Sequence, residues 1–166
     1  MSARRARAVD LAIAPEHVLR RYTKAEAMAW AEQWMAVFGQ HKQGTNTGAY
    51  MWHVFSFDRY ASVAGAAAQT RYEQEVAPEY IVLSNARDLA LLTYARPGPG
   101  TRRSDFVVFP SNMAWTMAFT HEDGWLGPYF AMHPDYPALS ASNIAQVAAL
   151  RRKREEMALA VKKGWA

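Results

Sequence analysis

From Met113 to Thr120 the chain alternates Met113, Trp115, Met117 and Phe119 with Ala114, Thr116, Ala118 and Thr120. A period of two is the signature of a strand with two distinct faces, so this segment commits the chain to a sheet. Asp105–Phe109 reads as a preceding strand, with Pro110–Asn112 as the turn between them, which predicts an antiparallel hairpin. Glu122–Trp125 turns again, Leu126–Phe130 is placed to pair back, and His133–Pro137 ends the run.

Helical signals flank this β region. Thr23 and Glu26 form a capping box ahead of Trp30, Trp34, Val37 and Phe38, whose spacing marks one helix face that Gly39 closes. A second, long helix is expected over 139–166, clear from about Ser142, with Ile144, Val147, Leu150, Met157 and Val161 on one stripe and Arg154 set within it. Tyr50–Phe57 is apolar on both faces and reads as a central strand, while Ala8–Ala14 alternates as a short strand that Pro15 ends. Ser62–Val76 reads as a helix ended by Pro78, Tyr80–Leu83 as a strand, and Asp88–Ala95 stays ambiguous. Arg96–Gly100 spells RPGPG, a turn with too few free N–H groups to cradle a phosphate. The expected architecture is α+β: a mainly antiparallel sheet of four to six strands packed against the Thr23 helix and the long C-terminal helix. One domain over 1–166 is expected, with 1–7 as a flexible basic tail.

Composition excludes several classes. Cysteine is absent, which removes disulfides, thiolate metal sites and a cysteine nucleophile. Residues 1–24 and 151–166 hold twelve of the nineteen Lys and Arg but only four of the fifteen acids, so the body between them is net acidic. Specific nucleic-acid binding is therefore not expected, because the positive charge lies at the two ends rather than on a folded face. No apolar run approaches the roughly 20 residues that a spanning helix needs. Arg4, Arg5 and Arg7 ahead of Val9–Ala14 imitate a leader, but Asp10 interrupts the apolar stretch, and a cytoplasmic location is expected.

Candidate chemistry concentrates in Thr120-His121-Glu122-Asp123-Gly124, an imidazole and two carboxylates at the end of a strand. Turns contain such residues for structural reasons as well. The H-E-x-x-H spacing is missing, so no metal and no cofactor is expected. His53 lies within an apolar run, and its ring can converge with that of His121 if the two segments face each other. Trp52 and Trp115 have core spacing, whereas Trp125 beside Gly124 has the better claim to a partner. The usual nucleophile-elbow, phosphate-loop and dinucleotide motifs do not occur.

The blocks Trp52-His53-Val54-Phe55-Ser56, Asp105, Trp115-Thr116, Thr120-His121-Glu122 and Gly127-Pro128-Tyr129-Phe130 resemble a bacterial family known as a domain of unknown function, number forty-two seventy-five. That resemblance implies that His53, Asp105, Trp115, Thr116, His121 and Glu122 form one site, and it implies no activity.

Two readings follow. In the first, the chain is a non-catalytic bacterial binding protein with a protein partner, of the immunity or antitoxin type, presenting Trp115, Thr116, Thr120, Asp123, Trp125 and Tyr129. In the second, it is a small hydrolase or metal-dependent enzyme centred on His53, Asp105, His121 and Glu122. Neither reading fixes an oligomeric state.

Overall fold

A computed structural model describes residues 13–99, 105–121 and 127–164. Among the described residues seven strands form one wholly antiparallel sheet: β1 (Val18–Arg21), β2 (Val63–Ala64), β3 (Tyr80–Ser84), β4 (Ala90–Thr93), β5 (Phe106–Phe109), β6 (Trp115–Phe119) and β7 (Tyr129–Met132). Their spatial order is β1-β4-β3-β5-β6-β7-β2. The α+β class stands, but seven strands exceed the four to six expected. Two edges account for the difference. β1 is a largely exposed Val-Leu-Arg-Arg run with no alternation to read, and β2 has only two residues. The hairpin is as expected, with Phe106 opposite Phe119 and Val108 opposite Met117, and β7 pairs back so that Met117 meets Phe130.

Both faces of the sheet are covered. On one, Trp115, Met117, Phe119, Phe106, Val108 and Phe130 pack against Ala68 and Tyr72 of α2 (Ala66–Gln74). On the other, Val107, Phe109, Ala118 and Ile81 meet Ala27, Ala31, Trp34 and Phe38 of α1 (Lys24–Phe38). α1 starts as its sequence dictates: Glu26 N–H donates to Thr23 Oγ1 at 3.2 Å and Thr23 N–H donates to Glu26 Oε1 at 3.0 Å. One buried hydrogen bond ties α1 to the sheet, from Trp34 Nε1–H to Thr116 Oγ1 at 2.9 Å.

Tyr50–Phe57 is not a strand. Met51–Asp58 forms a 3-10 segment broken by a kink at Ser56 and Phe57, on the α1 side of the sheet, burying Met51, Trp52, Val54 and Phe55. A short run apolar on both faces fits helix and strand periods alike, so tertiary packing decides. Asn85 settles this case: its Oδ1 accepts from Met51 N–H at 2.8 Å and its Nδ2 donates to Ala49 O at 2.8 Å, holding the segment against the β3–β4 turn. The strand read over Ala8–Ala14 lies mainly outside the described residues, and Ile13 and Ala14 are not in a strand. Within Ser62–Val76 the helix is shorter than expected, because Val63–Ala64 pairs with β7 before α2 begins.

The last helix, α3 (Tyr136–Lys162), starts before the 139–142 expected and packs through its first turns alone. Tyr136 and Leu139 rest on the core, Tyr136 Oη–H donates to buried Glu75 at 2.6 Å, and Asn112 Nδ2–H donates to Leu139 O and to Asn143 Oδ1. Asn143 is the helix's one buried residue among those described. At 27 residues the helix runs about 40 Å, more than twice the length of a five-residue strand. Its distal half carries no buried residue among those described. Most of the expected stripe is unpacked: Ile144, Leu150, Met157 and Val161 are exposed, and Val147 is half-buried.

Candidate functional site

Asp105 immediately precedes β5 and therefore points to the side opposite Phe106, the side that carries α1 and the 3-10 segment. Its carboxylate is nearly buried, with 6% of the side chain exposed against 31% for His121. It meets donors from two separate segments. His121 brings both its backbone N–H and Nδ1, the latter 2.8 Å from Oδ1, and Trp52 Nε1–H donates to Oδ2 at 3.2 Å. Accepting from Nδ1 places the His121 proton on that nitrogen.

A ladder of rings extends from this clip. His121 packs on Tyr50 at 5.1 Å, Tyr50 stacks on Trp52 at 5.5 Å, Trp52 stacks on Tyr129 at 5.9 Å, and Tyr129 leans on Phe55 at 5.7 Å. Asp105 thus bonds to two rungs of the ladder, His121 and Trp52. His53 meets both Tyr50 and Trp52, and its Nδ1–H donates to Asn46 O at 2.8 Å. The two imidazoles are brought to one ring, Tyr50, from different segments.

Trp52, His53, Phe55 and Tyr129 line a cleft of about 620 Å³, completed by Gly44–Asn46 and Ser56–Asp58. Its rim is unusual backbone. Phe57 and Asp58 both adopt left-handed φ, 57° and 55°, and Phe57 is 85% exposed. Asp105 and His121 do not line the cleft; they stand behind it and fix the wall.

The predicted site residues therefore divide. His53, Asp105, His121 and Tyr129 belong to one constellation around Tyr50 and Trp52. Trp115 and Thr116 do not: both are fully buried within β6, where Trp115 stacks on Phe130 and Thr116 receives Trp34. Offering them as contacts for a partner is corrected by that burial; they are core. Thr120 is also buried, its methyl carbon facing Gly127. Glu122, Asp123 and Trp125 lie outside the described residues. Tyr50, Asn46, Phe57 and Asp58 were missed as site residues, since reading Tyr50–Phe57 as a strand hid the rim. Asp58, a residue type that tolerates left-handed backbone, was the one weak signal.

Among the described residues no group of three or more His, Asp or Glu side chains gathers as a metal set, and no helix is long and apolar enough to cross a membrane. No curated protein and no solved structure matches the chain. A family match covers residues 21–130, from the end of β1 into β7, and so takes in α1, the aromatic ladder and the Asp105–His121 clip while leaving out α3. By that match the chain belongs to the family described as domain of unknown function DUF4275.

Proposed function

We propose that this protein is a non-catalytic binding protein of the bacterial cytoplasm, one that takes a protein partner through the aromatic cleft in the manner of an immunity or antitoxin protein. One observation carries the reading: the Asp105 carboxylate is engaged by both His121 and Trp52, and of these Trp52 lines the cleft. A carboxylate so engaged acts as a brace for an aromatic wall, and rigid aromatics in a concave site are what partner anchors dock against. Capture from host extract with a tagged chain tests it. A partner recovered with the native protein and lost with Phe57→Ala, a change at an exposed ring, is the expected result. The same proteins recovered with both would sink the reading.

A second reading keeps the small hydrolase or metal-dependent enzyme centred on His53, Asp105, His121 and Glu122. What favours it is the Asp105 contact to His121 Nδ1, the arrangement by which a carboxylate orients an imidazole for acid–base work. Against it, His53 spends Nδ1 on a backbone carbonyl, and neither Asp105 nor His121 reaches the cleft. His121→Ala separates the two: loss of stability with partner capture retained at low temperature supports the brace, whereas loss of a hydrolytic activity at unchanged stability supports the enzyme.

A further inference from the structure

We propose that the cleft receives the guanidinium of an arginine side chain presented by the partner polypeptide, an inference that rests on the binding reading and names its chemistry. Four aromatic rings, Trp52, Phe55, Phe57 and Tyr129, contribute to the cleft, and Asp58 is the one formally charged side chain among its described lining residues. Among the described residues no lysine or arginine lines it, although the Arg59 guanidinium stands at its margin beside Gly44. Aromatic faces carry negative potential and attract cations, most strongly where a carboxylate adds to the field. The His53 Nδ1–H is committed to Asn46 O, which leaves Nε2 as the ring nitrogen open to a ligand.

The backbone is shaped for the same end. Phe57 and Asp58 are consecutive non-glycine residues in the left-handed region, after Ser56 breaks the preceding helical turn with ψ of 144°. Strain of this kind persists where the surroundings over-determine it, and it clusters at binding sites. Here it sets an exposed ring and a carboxylate side by side at the mouth of an aromatic cleft. A volume of about 620 Å³ falls within the range of sites for small ligands and holds one long side chain with its flanking backbone. An anionic ligand would meet Asp58, and a neutral apolar one would use the rings while forgoing the carboxylate. Arginine suits the site better than lysine, because a planar guanidinium stacks on a ring face while its N–H groups donate in plane.

Titrations followed by amide and indole N–H shifts test this, using acetyl-Gly-Arg-Gly-amide and the same peptide with citrulline, the neutral isostere of arginine. Saturable shifts at Trp52 and His53 are expected with the arginine peptide, at least fivefold weaker affinity with citrulline, and a similar loss in Asp58→Asn. Asparagine tolerates left-handed backbone as aspartate does, so that variant keeps the fold. Equal affinity for citrulline, an unchanged affinity in Asp58→Asn, or no saturable shift would overturn the proposal. Should any of these occur while partner capture still depends on Phe57, the binding reading survives and the cation does not; if capture is also independent of Phe57, both fall.

Discussion

Asp105 and Trp52, 53 residues apart, are joined by a hydrogen bond of 3.2 Å between carboxylate Oδ2 and indole Nε1, and the same carboxylate holds His121. The bond links the mouth of β5 to the 3-10 segment. Asp105→Ala strips partners from an indole N–H, a backbone N–H and an imidazole together. Since hydrogen bonds to charged groups contribute about 1.5–3 kcal/mol each and are not additive, a loss of about 3 kcal/mol in urea denaturation is expected. Trp52→Phe removes one of the three donors and should lose less than half as much.

The buried bond from Trp34 to Thr116 makes a sharper test on the same side of the sheet. Thr116→Val keeps the shape but leaves the indole N–H without its acceptor and also removes the donor to Val108 O. A loss of about 2 kcal/mol is expected for an unsatisfied buried donor. In a double-mutant cycle with Trp34→Phe, the pair should lose less than the sum of the singles by about 1 kcal/mol. Strict additivity would show that the bond contributes nothing.

The start of α1 predicts a pH dependence. The Thr23 backbone N–H holds the Glu26 carboxyl below its ordinary 4.5, with burial opposing and the Thr23 hydroxyl and Arg20 assisting. A depressed folded value means that the unfolded chain takes up the proton first as pH falls. The carboxylate's contribution is therefore present above the unfolded value and is lost as pH drops through the folded one. Native protein and Glu26→Gln should differ by a constant amount near neutrality and converge in unfolding free energy in the acid limb below the ordinary value of 4.5. A gap that widens in acid would contradict the capping geometry.

Gly127 is the hinge on which Thr120 and Tyr129 are set. Its φ is 92°, and a Cβ there would lie 3.0 Å from Thr120 Cγ2 and 3.1 Å from the Tyr129 ring. Gly127→Ala meets both a disfavoured backbone and two close contacts, so about 2 kcal/mol of stability should be lost. Because Tyr129 is a rung of the ladder, the Trp52 indole resonance should move as well. A stability loss with that resonance unmoved would separate Gly127 from the site.

These residues also show what could be read from sequence. α1 was legible because Thr23, Glu26 and Gly39 each carry a local reason for its ends, and β6 because alternation of large with small residues survives along it, with β5 joined to it by the Pro110–Asn112 turn. Tyr50–Phe57 was not, since eight residues of which six are apolar or aromatic satisfy either period and only Asn85, far along the chain, decides between them. Of the site, His121 stood out as an imidazole in a polar turn at the end of a strand, and Asp105 through the family pattern. The rim at Phe57 and Asp58 did not, because a positive φ at phenylalanine is a product of tertiary packing that leaves no mark in composition.

The distal part of α3 supplies the last prediction. Beyond Asn143 no residue of the helix is buried among those described, and Met157 and Val161 are 60% and 64% exposed. Its anchors lie in the first turns, where Tyr136 reaches Glu75 and Asn112 reaches Leu139. Ending the chain after Leu150 should therefore change the unfolding free energy by no more than about 0.5–1 kcal/mol, the range of exposed substitutions, while far-UV ellipticity falls with the lost turns. Tyr136→Phe should have the opposite profile: ellipticity retained, and about 1–2 kcal/mol lost as buried Glu75 gives up a 2.6 Å donor. If the truncation instead proves as damaging as the loss of the tyrosine hydroxyl, the apolar stripe of α3 is covered in solution. The same truncation would then lower the mass measured by light scattering by more than the residues removed.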